Sequence, residues 1–175
     1  METSDEIDQQ RDLFALMGMT LIHIQFTESI INHTLLLVIQ DGDSLDLEAW
    51  EKQIRFLDRK TLGHMINILK KRAGLHEGLE ELLAAFLRDR NTLAHDLDRV
   101  DGYELHTKQG RAAMNAFLRE LFDNATRLQK IFCDIGVSWQ EQVGFVTPFD
   151  QDVRDFIGED NLRISDLLFH EKEAK

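Results

Sequence analysis

The sequence predicts an all-α fold, an up-and-down helical bundle with a long first and a long fifth helix. Three observations predict it. Apolar residues recur at intervals of three and four along most of the chain, the period of a helix with one buried side. One proline and ten glycines in 175 residues are too few for a loop-rich or all-β fold. A hydrophobic fraction of 43% suffices for a sizeable core. The length fits one domain, read as residues 1–143, with a tail over 144–175 that docks on the body.

After a polar, acidic lead-in, residues 5–39 read as one long helix. Leu13, Leu16, Thr20, Ile24, Thr27, Ile31, Leu35 and Val38 keep the three-four spacing. A second apolar set, Phe14, Ile22, Phe26, Ile30 and Leu37, widens the face, so this helix is either central or buried on two sides. A partner subunit could supply the second side. His23 and His33, ten apart, are read as satisfied core or interface histidines. Asp41-Gly42-Asp43-Ser44 marks a turn. A second helix carries Leu47, Trp50, Ile54 and Leu57 on one face. Thr61 is a candidate N-cap for a third helix, with Leu62, Met65, Ile66 and Leu69 inward and Gly74 at its end.

A fourth helix runs from near His76 to Asp98, with Leu79, Leu82, Leu83 and Phe86 apolar. Asp101-Gly102 marks the next turn. The fifth helix starts near Thr107 and carries Met114, Phe117, Leu121, Ala125, Leu128, Phe132 and Ile135. It ends at Gly136 or continues towards Gln142. In the tail, Pro148 interrupts the pattern, and a short helix over 149–157 stops at Gly158. Asn161 to His170 reads as another short helix. Phe145, Phe149, Phe156 and Phe169 make the tail too apolar for a linker.

A formal charge of −12 and a pI near 4.9 oppose unselective binding to nucleic acid or anionic membranes. The exception is residues 52–72. Lys52, Arg55, Arg59, Lys60, Lys70, Lys71 and Arg72 face only Asp58 there, a local +6. Solvated helix faces explain such a run; so does a local phosphate-binding surface. The single cysteine, Cys133, allows no internal disulfide and reads as a small buried hydrophobe. The apolar run Thr34–Ile39 is too short to span a bilayer, and the acidic start lacks a signal-peptide layout. The expectation is a cytoplasmic protein with no membrane contact. No zinc-ligand spacing, glycine-rich phosphate loop or nucleophile elbow occurs, so no metal or other cofactor is expected.

One stretch, Phe86-Leu87-Arg88-Asp89-Arg90-Asn91-Thr92-Leu93-Ala94-His95-Asp96, brings arginine, asparagine and histidine into an apolar pattern. Arg88, Asn91 and His95 share one side of the helix. Arg90 falls in the stripe Leu79, Leu83, Phe86, Arg90, Leu93, Leu97, otherwise the buried face. It should be mostly buried and paired with a carboxylate, Glu28 or Asp96. Taken alone, these residues describe a core-edge arginine held by a carboxylate and a histidine favoured by a helix C-terminus.

Arginine, a polar residue, three more residues and a histidine (Arg90, Asn91, His95) resemble the motif of the HEPN superfamily, the higher eukaryotes and prokaryotes nucleotide-binding domains. The resemblance covers about residues 5–142. It implies a helical bundle that pairs about a two-fold axis. It also implies a metal-independent endoribonuclease of toxin or defence type, with RNA and an antitoxin or neighbouring-gene protein as further partners. The resemblance assigns proton transfer to His95, phosphate binding to Arg90 and orientation of either group to Asn91. The candidate RNA-binding residues are Arg55, Arg59, Lys60, Lys70, Lys71, Arg72 and Arg88. Many toxin members carry a tyrosine two residues after the histidine; Leu97 stands here. The alternative is a non-catalytic helical interaction or regulatory domain acting as a dimer.

Overall fold

A computed structural model describes residues 4–37, 61–72, 74–144, 150–158 and 169–170. In order these form α1 (Ser4–Leu37), α2 (Leu62–Arg72), β1 (Gly74–Leu75), α3 (Glu77–His95), a 3₁₀ turn (Leu97–Arg99), α4 (Lys108–Val143), α5 (Asp150–Ile157) and β2 (Phe169–His170). The molecule is an all-α bundle. The helix read over Leu47–Leu57 lies outside the described residues, as do Phe145, Pro148 and Phe149. The long helix expected fifth is therefore α4.

The starts of α2, α3 and α4 each have a chemical cause. Thr61 accepts from the His64 amide through Oγ1 at 3.4 Å, capping α2 as its position suggested. His76 caps α3, its Nδ1 accepting from the Gly78 amide at 3.2 Å. Thr107 caps α4, its Oγ1 accepting from the Gly110 amide at 2.9 Å. At the far end, Gly144 adopts φ 69° and its N–H closes onto the Gln140 and Glu141 carbonyls. A left-handed residue there satisfies carbonyls the helix leaves open. α4 runs through Gly136 without a break; a single glycine costs a helix only about 1 kcal/mol.

α1 and α4 lie side by side and parallel. Successive cross-contacts join Gln9 to Arg111, His23 to Thr126, Thr27 to Gln129 and Thr34 to Phe132. Their shared core includes Ile24, Ile31 and Leu35 from α1 with Met114, Leu118, Leu121, Leu128 and Phe132 from α4. α2 adds Leu62, Met65, Ile66 and Leu69; α3 adds Leu79, Leu83, Phe86 and Leu93. All belong to one continuous cluster.

After Gly144, α5 lies against α4. Arg154 pairs with Glu141 at 2.7 Å, the Lys130 ammonium stands over the Phe156 ring, and Ile157 is fully buried. Phe169 and His170 depart from the short helix expected there. They form an antiparallel pair with Gly74 and Leu75, because the backbone that leaves α2 offers amides and carbonyls that an extended tail segment can bond.

α1 is two-sided. Leu13, Thr20, Ile24, Thr27, Ile31, Thr34 and Leu35 face inward and are buried. Ile7, Phe14, Met19, Leu21, Ile22 and Phe26 are 40–62% exposed, and among the described residues only Phe156 joins them as an exposed large hydrophobe. By length and composition, Glu6–Leu36 could also cross a bilayer. Its inner side meets α4 through the apolar core and through hydroxyls, an imidazole and an amide.

Candidate functional site

The site follows from where α3 stops and what faces it. Leu79, Leu83, Phe86 and Leu93 anchor α3 in the core. Arg90 lies in that stripe as expected. Its stem follows the apolar face while its head reaches the edge, so it is half-buried rather than fully buried, the side chain 29% exposed. Arg90 Nε donates to Glu28 Oε1 of α1 at 2.7 Å, and Nη1 donates to Asn91 Oδ1 at 3.2 Å. The carboxylate partner is thus Glu28. Asp96, the other candidate, pairs with Arg99 at 3.4 Å.

A guanidinium has five N–H donors. Two are engaged here, which leaves three without a partner among the described residues. Glu28 holds the Nε side and so fixes which edge of the fork remains free. His95 is the last residue of α3, exposed, and followed by the Asp96 cap. Asn91 is half-buried and touches Arg90 through its Oδ1.

The basic candidates divide. Arg88 is exposed and forks onto Asp89, Nε to Oδ1 at 2.8 Å and Nη2 to Oδ2 at 3.1 Å. The hydrogen bonds and charge of Asp89 raise the Arg88 pKa above its ordinary value. Lys70 donates to Glu80 at 2.9 Å. Lys71 is exposed on α2. Arg72 ends α2, while Arg55, Arg59 and Lys60 lie outside the described residues. Arg88 and Lys70 are each held by a carboxylate. Among the described residues, no cluster of three His, Cys, Asp or Glu side chains could hold a metal. Cys133 is half-buried, and burial raises its thiol pKa, which disfavours the thiolate.

One arrangement was not legible as a site: the polar layer between α1 and α4. His23 Nε2 meets Thr126 Oγ1 at 2.8 Å, and Gln129 Nε2 meets His23 Nδ1 at 3.3 Å and Thr27 Oγ1 at 3.0 Å. Its signals in the sequence are Thr20, Thr27 and Thr34 at seven-residue intervals within an apolar stripe, and His23, read there as a satisfied core or interface histidine.

A row on the outer side of α1 runs to the motif. Ile7, Phe14, Leu21 and Glu28 are spaced by seven, so they drift only about 20° per step around the helix. The exposed apolar row therefore leads into the carboxylate that grips Arg90. No family model matches the chain, nor does any curated protein or solved structure.

Proposed function

We propose that this chain is a HEPN-like domain that pairs through the open side of α1 and cleaves RNA without a metal, using Arg90, Asn91 and His95. The observation that carries the reading is the row Ile7–Phe14–Leu21–Glu28, with Glu28 bonded to Arg90. A second copy laid along this row comes beside the motif, and two motifs then flank one cleft.

The chemistry asks little of the protein. RNA carries its own nucleophile, the ribose 2′-hydroxyl. A histidine transfers protons near neutral pH. As the 2′-oxygen bonds to phosphorus, one His95 takes its proton. The bond from phosphorus to the 5′-oxygen breaks, and that oxygen takes a proton from His95 of the second copy. The free edge of the Arg90 fork matches the phosphate and its developing charge. Asn91 keeps that edge in place. The products are a 2′,3′-cyclic phosphate and a 5′-hydroxyl. The reading keeps the protein in the cytoplasm, where an antitoxin or neighbouring-gene product would restrain it.

Total RNA incubated with the protein in a chelator tests this. Cleavage with cyclic-phosphate ends is expected, falling about 10²–10⁴-fold in His95→Ala. Equal absence of cleavage in both, with no inhibitor co-purifying, rejects the enzyme. A second reading then stands, a non-catalytic dimeric interaction domain. The Glu28 carboxylate on Arg90 and the charge of −12 favour it.

A further inference from the structure

His23 lies where α1 crosses Phe122, Thr126 and Gln129 of α4, and its bonding partners define its proton state. The His23 backbone carbonyl can only accept, and it lies 3.3 Å from Gln129 Nε2. That identifies the Gln129 NH₂ as the group facing α1. Thr27 Oγ1 donates to the same carbonyl at 2.9 Å, so towards Gln129 it accepts. The NH₂, its two hydrogens shared among three neighbours, also faces His23 Nδ1 and offers no acceptor to an Nδ1–H, so Nδ1 is the unprotonated nitrogen. On the other side, Thr126 Oγ1 donates to the Phe122 carbonyl at 3.0 Å. It therefore accepts from His23 Nε2, which must carry the proton. The Phe122 ring stacks on the imidazole at 4.0 Å between centroids. Every partner thus fits one species, the neutral Nε2–H tautomer.

A second proton puts Nδ1–H against the Gln129 NH₂, donor against donor. Turning the amide does not repair this. It brings Gln129 Oε1 against the His23 carbonyl, and Thr27 can then bond to Oε1 only by giving up its own bond to that carbonyl. Among the described residues, no carboxylate pairs with His23. The charged residues of α4 nearest in sequence to Phe122, Thr126 and Gln129 are Arg119, Glu120, Asp123, Arg127 and Lys130. Arg119 is bonded to Asn115, and Lys130 stands over Phe156. On α1, Asp12 is eleven residues away and Glu28 is held by Arg90.

We infer that the contact between α1 and α4 is an acid-sensitive latch, closed by neutral His23 and loosened when His23 takes a second proton. Burial lowers the His23 pKa from its ordinary 6.5, in the direction the geometry requires. The unfolded chain therefore binds this proton first as pH falls. The stability His23 contributes is complete above pH 6.5, declines below it, and levels off once the folded-state ring titrates. Thr27 precedes Glu28 in the chain, so an open latch also loosens the carboxylate on Arg90. That consequence rests on the function proposed above; the latch does not.

Imidazole ¹⁵N shifts of the full chain across pH 5–8, with melting curves at the same pH values, test the latch. The expected result is an Nε2–H tautomer for His23 at pH 8 and a midpoint below 6.5. The stability gap between wild type and His23→Asn should narrow from pH 7.5 to 5.5. Gln129→Glu puts an acceptor opposite Nδ1 and should move the midpoint above 6.5. An Nδ1–H tautomer, or a wild-type midpoint at or above 6.5, overturns the latch whether or not the variants fold.

Discussion

Arg90 joins two helices that are distant in sequence. Its bond to Glu28 crosses 62 positions, and the pair is 29% and 22% exposed. A hydrogen bond to a charged group contributes about 1.5–3 kcal/mol when sheltered, and solvent reduces that at such exposure. Arg90→Ala should therefore destabilise by about 1–2 kcal/mol. In a chain of this size that is roughly 2–8 °C in melting temperature, which thermal denaturation measures. Unchanged stability would mean that the pair contributes nothing to the fold. At Gly110 the constraint is steric. A Cβ there would overlap the Glu104 backbone, where the chain folds onto the cap of α4. Gly110→Ala should cost about 1–3 kcal/mol, seen as a lower denaturant midpoint; a midpoint equal to wild type would show that the turn shifts freely.

At the scale of elements, period explains what was legible. The stripe of α3 was readable because Leu79, Leu83, Phe86 and Leu93 repeat at helical spacing and are all buried. The place of Arg90 in it implied a carboxylate, and Glu28 is that partner. On α1 the first set, from Leu13 to Leu35, packs on the core as its spacing implied. The second set implied a further buried side, but Phe14, Ile22 and Phe26 are exposed within one chain, while Ile30 packs against the core. The layer around His23 was hidden because it depends on which hydroxyl of α4 meets which ring atom. That is tertiary register; the threonines at seven-residue intervals mark a polar line on α1 but not the atoms it meets. The pairing of Gly74–Leu75 with Phe169–His170 was hidden for the same reason. Two-residue strands are too short to alternate, so the tail read as helix. The exposure of His95 depended on where α3 stops, and helix ends are set by local caps rather than by period.

For the whole molecule, the open side of α1 determines the expected state in solution. Six large hydrophobes between Ile7 and Phe26 are uncovered, along a stretch roughly 30 Å long at 1.5 Å per residue. Contiguous apolar exposure of this kind marks an interaction surface. A two-fold pair is self-complementary, so each copy covers the row of the other. The proposed pairing makes folding depend on concentration, since a partner that binds only the folded chain stabilises it by mass action. The melting temperature should rise with protein concentration, and light scattering should give twice the 20.3 kDa chain mass. Leu21→Glu puts a charge in the row one heptad before Glu28, where pairing would desolvate it. This variant should be monomeric, with its melting temperature independent of concentration. Leu21 is on the open side, so the monomer should keep the α1–α4 contacts and its helical circular dichroism. A wild type that is monomeric at tens of micromolar, where specific interfaces ordinarily hold, would leave the row uncovered and remove the two-copy cleft on which the proposed cleavage depends.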